Sequence, residues 1–162
     1  MNPTPSGFDP EVALQGRNSS AQIQRYLSKI SGPLLDRIDI HIEVPAAKIE
    51  DLRNREAKET SAQVRERVCA ARERQLRRFA RRKGIYCNAH MSARDLNHFC
   101  HLQPAAQQIL ETAMKALGLS ARAYDRLRKV ARTIADLAQS EDIAADHISE
   151  AVQYRNLDRW SG

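Results

Sequence analysis

The 162-residue chain is long enough for one domain, or for one small domain and part of another. Its net charge of +6 at pH 7 is a modest excess, which suits a polyanion partner but equally suits an ordinary solvated surface. No apolar run approaches the roughly 18 residues needed to cross a bilayer, so the sequence excludes a membrane-spanning segment. The three cysteines, with no export signal ahead of them, indicate reduced thiols, and we expect a cytoplasmic protein.

The first 45 residues predict a loop, a helix and a strand. Residues 1–18 are rich in proline, glycine and serine, which is typical of a loop. Ser19 or Ser20 can cap a helix that ends at Gly32-Pro33. Alternating isoleucine and polar residues predict one clear strand over 38–44. A single strand cannot form a sheet, so its partners must come from residues missing upstream, which we favour, or from another chain.

A polar linker over 46–59 precedes a predicted helical domain over 60–160. Thr60 and Gln63 have the spacing of a capping box, and the helix that they open should run to about Lys83. Helical periodicity places five residues on its inward face. They are Val64, Val68, Ala71, Leu76 and Phe79.

Further capping signals divide the rest of this domain into helices. Ser92 can cap a short helix that runs to Cys100, and Pro104 suits the first position of a helix that ends at Gly118. Ser120 can cap the next helix, which has the strongest apolar stripe in the chain. A last helix precedes the C-terminus. The predicted fold class is therefore mainly α, a helix bundle preceded by the remnant of an α/β core.

Two arginines occupy positions that could serve chemistry. Arg37 lies between a turn and the predicted strand, as either a functional cation or the surface partner of Asp36 or Asp39. If Ser120 caps its helix, Arg122 is in the first turn, where a cation opposes the helix dipole but stands beside N–H groups that bind anions. The residues alone leave both alternatives open.

The other basic residues favour solvated surfaces. Arg126 is one turn beyond Arg122 and is its rival for an anion, and with Lys129 and Arg132 it is expected on a solvated helix face. A second basic run could follow a nucleic-acid backbone, but acidic neighbours and the lack of interleaved aromatic residues favour a solvated face there too. That run consists of Arg72, Arg74, Arg77, Arg78, Arg81, Arg82 and Lys83.

The cysteine and histidine residues between 87 and 101 lack the paired spacing of a zinc site, although Cys87 and His90 alone would suit one. We expect no metal site, a buried Cys100 and exposed histidines. The sequence also lacks the GxxxxGK[ST] phosphate-binding loop, so this chain alone is not expected to hydrolyse ATP.

Six segments carry a family resemblance. They are residues 1–10 with the pattern MNPxPxG, YLSKISGPLLDRIDIHIEVP (26–45), VRERVCAARERQ (64–75), NAHMSARDL (88–96), GLSARAYDRLRKVARTIADL (118–137) and HISEAVQYRNLDR (147–159). In this order they resemble the magnesium-chelatase-like AAA+ ATPases of the ComM/YifB family, over nearly the whole chain.

The resemblance implies the C-terminal part of a AAA+ module, with residues 1–45 as the end of the α/β core and 60–160 as the helical lid. It implies that Asn2 is the sensor-1 residue, that Arg37 is the arginine finger for a neighbouring subunit's ATP, and that Arg122 is the sensor-2 arginine for the same subunit's nucleotide. The phosphate loop and the Mg²⁺-binding motif would lie upstream. The intact protein would bind ATP and Mg²⁺, form a hexameric ring and couple hydrolysis to DNA remodelling or branch migration.

One departure from the family concerns the segment TPSGFDPEVALQGRNSS, where many members have a cysteine cluster and this chain has none. A metal-binding knuckle in that loop is therefore in doubt. Two other functions remain open from the residues alone. The chain could be a stand-alone helical module that binds nucleic acid through its basic run, or a protein-interaction domain whose strand pairs with a partner's sheet.

Overall fold

The computed structural model describes residues 20–29, 34, 37–42, 44 and 59–155. They fall into two compact units: the second contains 39–41 and 59–155, and the first contains the remaining described residues. In the first unit, helix α1 (Ser20–Leu27) begins at one of the two predicted serines, and Ile23 is buried on its face. The predicted loop over 1–18 and almost all of the predicted linker over 46–59 lie outside the described residues.

The predicted strand over 38–44 is wrong for the residues that the structure describes. Residues 38–42 and 44 form no strand, and Ile38, Ile40, Ile42 and Val44 are between 40% and 84% exposed. Alternating β-branched residues become a strand only where a second strand satisfies their N–H and C=O groups. Within the described part of the chain no such partner stands beside them.

The second unit is helical, which confirms the predicted mainly α fold for the described residues. Its helices enclose a short 3-10 turn at Asn88–His90. No helix of the described residues is long and apolar enough to span a membrane. The helices are α2 (Ser61–Phe79), α3 (Ala93–Phe99), α4 (Pro104–Leu117), α5 (Ala121–Leu137) and α6 (Ala145–Gln153).

Three predicted helix boundaries in this unit are confirmed, at Thr60, Pro104 and Gly118. Two others are wrong: α2 ends at Phe79 and not at about Lys83, and in the first unit α1 ends at Leu27, before the predicted Gly32-Pro33. Thr60 N donates a hydrogen bond to Gln63 Oε1 at 2.8 Å and Thr60 Oγ1 accepts one from Gln63 N, the reciprocal pattern of a capping box. Pro104 is the first residue of α4, where its missing N–H costs nothing. Gly118 ends α4 with φ of 59°, a left-handed conformation that favours glycine.

Helix α5 lies at the centre of the second unit and contacts α2, α3 and α6, while α4 packs on α6. Leu102 and Ile143 form a parallel bridge that joins the segments preceding α4 and α6. The contiguous core is drawn from every helix of the unit. It consists of Phe79, Met91, Leu96, Cys100, Ala106, Leu110, Leu127, Ala131, Ala135, Ile143, Ile148 and Ala151.

The predicted inward face of α2 is correct at only two of its five residues. Ala71 and Phe79 are buried, whereas Val64, Val68 and Leu76 are exposed by 38%, 44% and 51%. Every residue from 61 to 69 is exposed, so this half of the helix finds no packing partner among the described residues. Leu76 is turned roughly 100° from the buried Gln75 and faces away from α5.

Candidate functional site

Helix α5 begins at the serine predicted to cap it. Ser120 Oγ accepts a hydrogen bond from Ala123 N at 3.2 Å. The first turn has no acidic residue, and its second residue, Arg122, is exposed. First-turn N–H groups have no partner within their own helix and carry the positive end of its dipole. Arg122 and this helix end therefore concentrate positive charge in a way that suits an anion.

Arg126, one turn farther along α5, is engaged by an acidic residue that is distant in the sequence. Its Nη1 lies 2.5 Å from Asp39 Oδ1, and the two side chains are 24% and 51% exposed. Two residues beyond Asp39, His41 is buried and its N–H donates to Tyr154 O at 2.7 Å. Residues 39–41 are thus attached to α5 and to the end of α6.

Arg37, the predicted arginine finger, is exposed in a turn in which its N–H donates to Leu34 O at 3.0 Å. Arg37 belongs to the first unit and Arg122 to the second. Asn2, the predicted sensor-1 residue, lies outside the described residues. The roles of these three residues therefore stay predictions.

The predicted solvated face on α5 is wrong most clearly at Arg132, which is 1% exposed. Its Nη2 donates to Ser140 O at 2.7 Å and lies 3.2 Å from Asp136 Oδ1. Burial lowers the pKa of the Arg132 guanidinium, and the Asp136 carboxylate opposes that shift. Lys129 Nζ donates to Ala89 O at 2.9 Å. These cations stabilise the helical unit by binding backbone carbonyls of the turn at Asn88–His90 and of the connection that follows α5.

Arg128 has a structural role that the sequence analysis missed. Its Nη2 donates to Leu96 O at 3.0 Å and to Cys100 O at 3.4 Å, so it caps the C-terminal end of α3. The sequence does indicate partial burial of Arg128 and Arg132, because each directly follows a residue of the apolar stripe, Leu127 or Ala131. Cations in that position border the buried face rather than the solvent.

The basic run on α2 is only partly solvated. Arg78 forms an ion pair with the fully buried Asp136 and donates to Asn88 Oδ1 at 2.9 Å. Arg82 lies 3.8 Å from Asp95 and over the Phe99 ring. The run therefore offers fewer cations to a polyanion than its sequence suggests.

The cysteine and histidine residues between 87 and 101 differ in burial. Cys100 is buried as predicted, and burial raises the pKa of its thiol to about 11. His90, His98 and His101 are exposed as predicted. Across the described residues, no group of three or more His, Cys, Asp or Glu side chains could hold a metal ion.

Comparison with known proteins gives two family matches and several relatives. The family model described as magnesium chelatase, subunit ChlI C-terminal, matches residues 58–155, and the model for magnesium chelatase, subunit ChlI, matches residues 1–52. Competence protein ComM of Haemophilus influenzae is 42% identical over 160 residues, which is 98% of this chain and 30% of that protein. The uncharacterized protein YifB of Escherichia coli is 42% identical with the same coverage. An uncharacterized protein of Mycobacterium tuberculosis is 35% identical over 155 residues, or 95% of this chain and 30% of the relative. The chain thus spans less than a third of the length of these relatives.

Proposed function

Because the chain belongs to the magnesium-chelatase-like family that includes ComM and YifB, we propose that it is the C-terminal part of a ring-forming AAA+ ATPase. Its arginines would serve ATP hydrolysis that is coupled to DNA remodelling or branch migration. The observation that carries this proposal is the placement of Arg122, which is exposed in the first turn of α5 beside N–H groups suited to an anion. The proposed link to DNA comes from the family resemblance, in which one relative is named a competence protein.

The proposed chemistry needs positive charge rather than a covalent partner. Phosphoryl transfer spreads negative charge over the transferred group, and a guanidinium offers donors in a fixed fork that matches phosphate oxygens. Arg122 would contact the nucleotide of its own subunit, and Arg37 that of the neighbouring subunit. Asn2 would orient the attacking water.

ATP and Mg²⁺ are the proposed cofactors of the intact protein. Guanidinium groups carry donors and no acceptors, so the two arginines fit phosphate oxygens and do not fit a cation. Mg²⁺ needs oxygen ligands, and among the described residues no cluster of three or more acidic or histidine side chains could hold it. The family resemblance implies that the Mg²⁺ ligands and the phosphate loop lie upstream, and we propose that position for both.

The test is steady-state ATP turnover of the full-length protein. We expect Arg122→Ala and Arg37→Ala each to lower turnover at least about 100-fold, because an arginine that stabilises phosphoryl transfer contributes about 10³–10⁵-fold. The control is Arg65→Ala, which removes an exposed arginine from the N-terminal half of α2 and should leave turnover unchanged. Parental turnover in either Arg37→Ala or Arg122→Ala would contradict the proposal.

The contacts of the α2 arginines reduce the support for a stand-alone nucleic-acid-binding module. Arg78 and Arg82 face acidic residues of their own unit, which leaves fewer charges to release counterions from a nucleic acid. A salt titration of DNA binding by the isolated chain tests that alternative, which requires an affinity that falls steeply with salt.

A further inference from the structure

Arg122 and Arg126 lie one turn apart on α5, but their surroundings differ. Arg122 is exposed at the helix end, whereas Arg126 is half-buried and ion-paired with Asp39. A guanidinium that binds a carboxylate has fewer donors left for a phosphate. That the two arginines are close on one helix therefore does not imply that both bind the same nucleotide.

The Asp39–Arg126 ion pair belongs to a two-point attachment. Asp39 binds Arg126 in the second turn of α5, and His41 N donates to Tyr154 O at the end of α6. The buried His41 side chain adds packing to the polar contacts. Together these contacts hold a three-residue segment on the helical unit without a sheet to support it.

Only Ile38 separates this segment from Arg37. Arg37 is two residues before Asp39, so their Cα atoms can be at most about 7 Å apart whatever conformation the chain adopts. The ion pair that holds Asp39 on α5 therefore limits how far Arg37 can lie from that helix, because only Ile38 separates the two residues.

We propose that Arg126 is a positioning residue that acts through Asp39 on Arg37, and not a second reader of the nucleotide contacted by Arg122. This inference rests on the proposed function. Helix α5 then serves two nucleotides in a ring: through Arg122 it responds to its own subunit's ATP, and through Arg126 and Asp39 it places Arg37 for the neighbouring subunit's ATP.

The experiment assigns Arg126 to one of two complementation groups in full-length protein. Arg37→Ala damages the neighbour's site and Arg122→Ala damages the subunit's own site, so a mixture of the two contains some interfaces in which both arginines are intact. Random mixing in equal amounts makes about one head-to-tail interface in four intact, so turnover should recover to about a quarter of the parental value.

We expect Arg126→Gln and Asp39→Asn each to lower turnover at least about tenfold. Either variant mixed with Arg122→Ala should recover about a quarter of parental turnover, and neither should recover when it is mixed with Arg37→Ala. The double variant Asp39→Arg with Arg126→Asp restores the ion pair with its charges exchanged, and should regain turnover over either single variant. If Arg126 and Asp39 were needed only for folding, their variants would not recover with Arg122→Ala while failing to recover with Arg37→Ala.

The matched control is Glu59→Gln, which removes another surface ion pair, to Arg67 at 2.6 Å, and should keep parental turnover. Recovery of Arg126→Gln with Arg37→Ala but not with Arg122→Ala overturns the inference and assigns Arg126 to the subunit's own nucleotide. Parental turnover in Arg126→Gln and Asp39→Asn also overturns it while leaving the proposed function intact, provided that Arg37→Ala is inactive. Parental turnover in Arg37→Ala as well defeats the proposed function itself.

Discussion

Arg78 on α2 and Asp136 on α5 are 58 residues apart in the sequence and form a two-pronged ion pair inside the helical unit. Arg78 Nη1 lies 2.7 Å from Asp136 Oδ2, and Nη2 contacts the other carboxylate oxygen. The Asp136 side chain is fully buried, and Arg132 and Asn88 also bind it. One carboxylate therefore joins α2, α5 and the turn before α3.

Removal of the Asp136 carboxylate should strongly destabilise this unit. We expect Asp136→Ala to lower the free energy of unfolding by about 3–5 kcal/mol, since it leaves two buried guanidinium groups without their counter-charge. Urea denaturation of the chain, followed by circular dichroism, measures the change.

Glu73→Ala is the matched control, because it removes an ion pair to Arg77 in which the side chains are 70% and 76% exposed. Its effect should stay within about 0.5 kcal/mol. Equal effects of the two substitutions would show that the buried pair stabilises the fold no more than a solvated one does.

The three cysteines should react with iodoacetamide at very different rates. Cys69 is exposed, Cys87 is partly buried and Cys100 is buried. Burial holds the pKa of the Cys100 thiol at about 11, against an ordinary value of 9.0, and the thiolate is the reactive form. Mass spectrometry of the native chain at pH 8 should show modification of Cys69 first and of Cys100 last.

The denatured chain supplies the control for this experiment, since all three thiols should then react at similar rates.

The raised pKa of the Cys100 thiol also predicts that stability depends on pH. The unfolded chain loses the Cys100 proton near 9.0 and the folded chain only near 11, so stability should fall as the pH rises through that window. Rapid native alkylation of Cys100 would contradict its placement in the core.

The capping box of α3 should make stability sensitive to acid. Hydrogen bonds from Ser92 lower the pKa of Asp95 below its ordinary value of 3.8. A depressed carboxyl pKa contributes stability that is present above 3.8 and is lost as the pH falls through the folded-state value. Asp95→Asn should therefore flatten the loss of thermal stability below that pH.

Ser149→Ala provides a comparison at a residue whose hydroxyl donates only to its own helix, to Ala145 O at 3.0 Å. Its acid dependence should match that of the parent chain. An unchanged acid dependence in Asp95→Asn would mean that Asp95 does not gain this stabilisation on folding.

Gly118 should be needed for its backbone conformation rather than for space. A Cβ at this position would meet no atom within 4 Å, but φ is +59°. Gly118→Ala should therefore destabilise the chain by about 1–2 kcal/mol, the cost of the left-handed region for an ordinary residue. Gly118→Asn should cost less because asparagine adopts this conformation more readily. Thermal denaturation of the two variants gives the comparison, and a larger loss for asparagine would point to crowding instead.

Local features of the candidate site could be predicted from the sequence, but its pairings could not. The spacing of Ser120 and Arg122 placed that arginine in the first turn of α5, where the structure has it. The partner of Arg126 is Asp39, 87 residues away, and the sequence indicates Asp39 only as a local partner of Arg37. Long-range ion pairs leave no periodic signal, because they depend on how helices pack and not on how each one forms.

Local sequence signals predict where most helices of the second unit begin and where α4 ends, but not that α2 stops at Phe79. Thr60 with Gln63, Pro104 and Gly118 act within one turn of chain, so the energies that favour these helix ends are present in the local sequence. Tertiary structure decided which side chains leave water. It buried Arg132 and Asp136 and left Val64 and Val68 exposed. Among the residues that the structure describes, it gave the alternating residues of 38–42 no strand to pair with. Burial and strand pairing require a second surface, and the identity of that surface is set by packing between segments that are far apart in the chain.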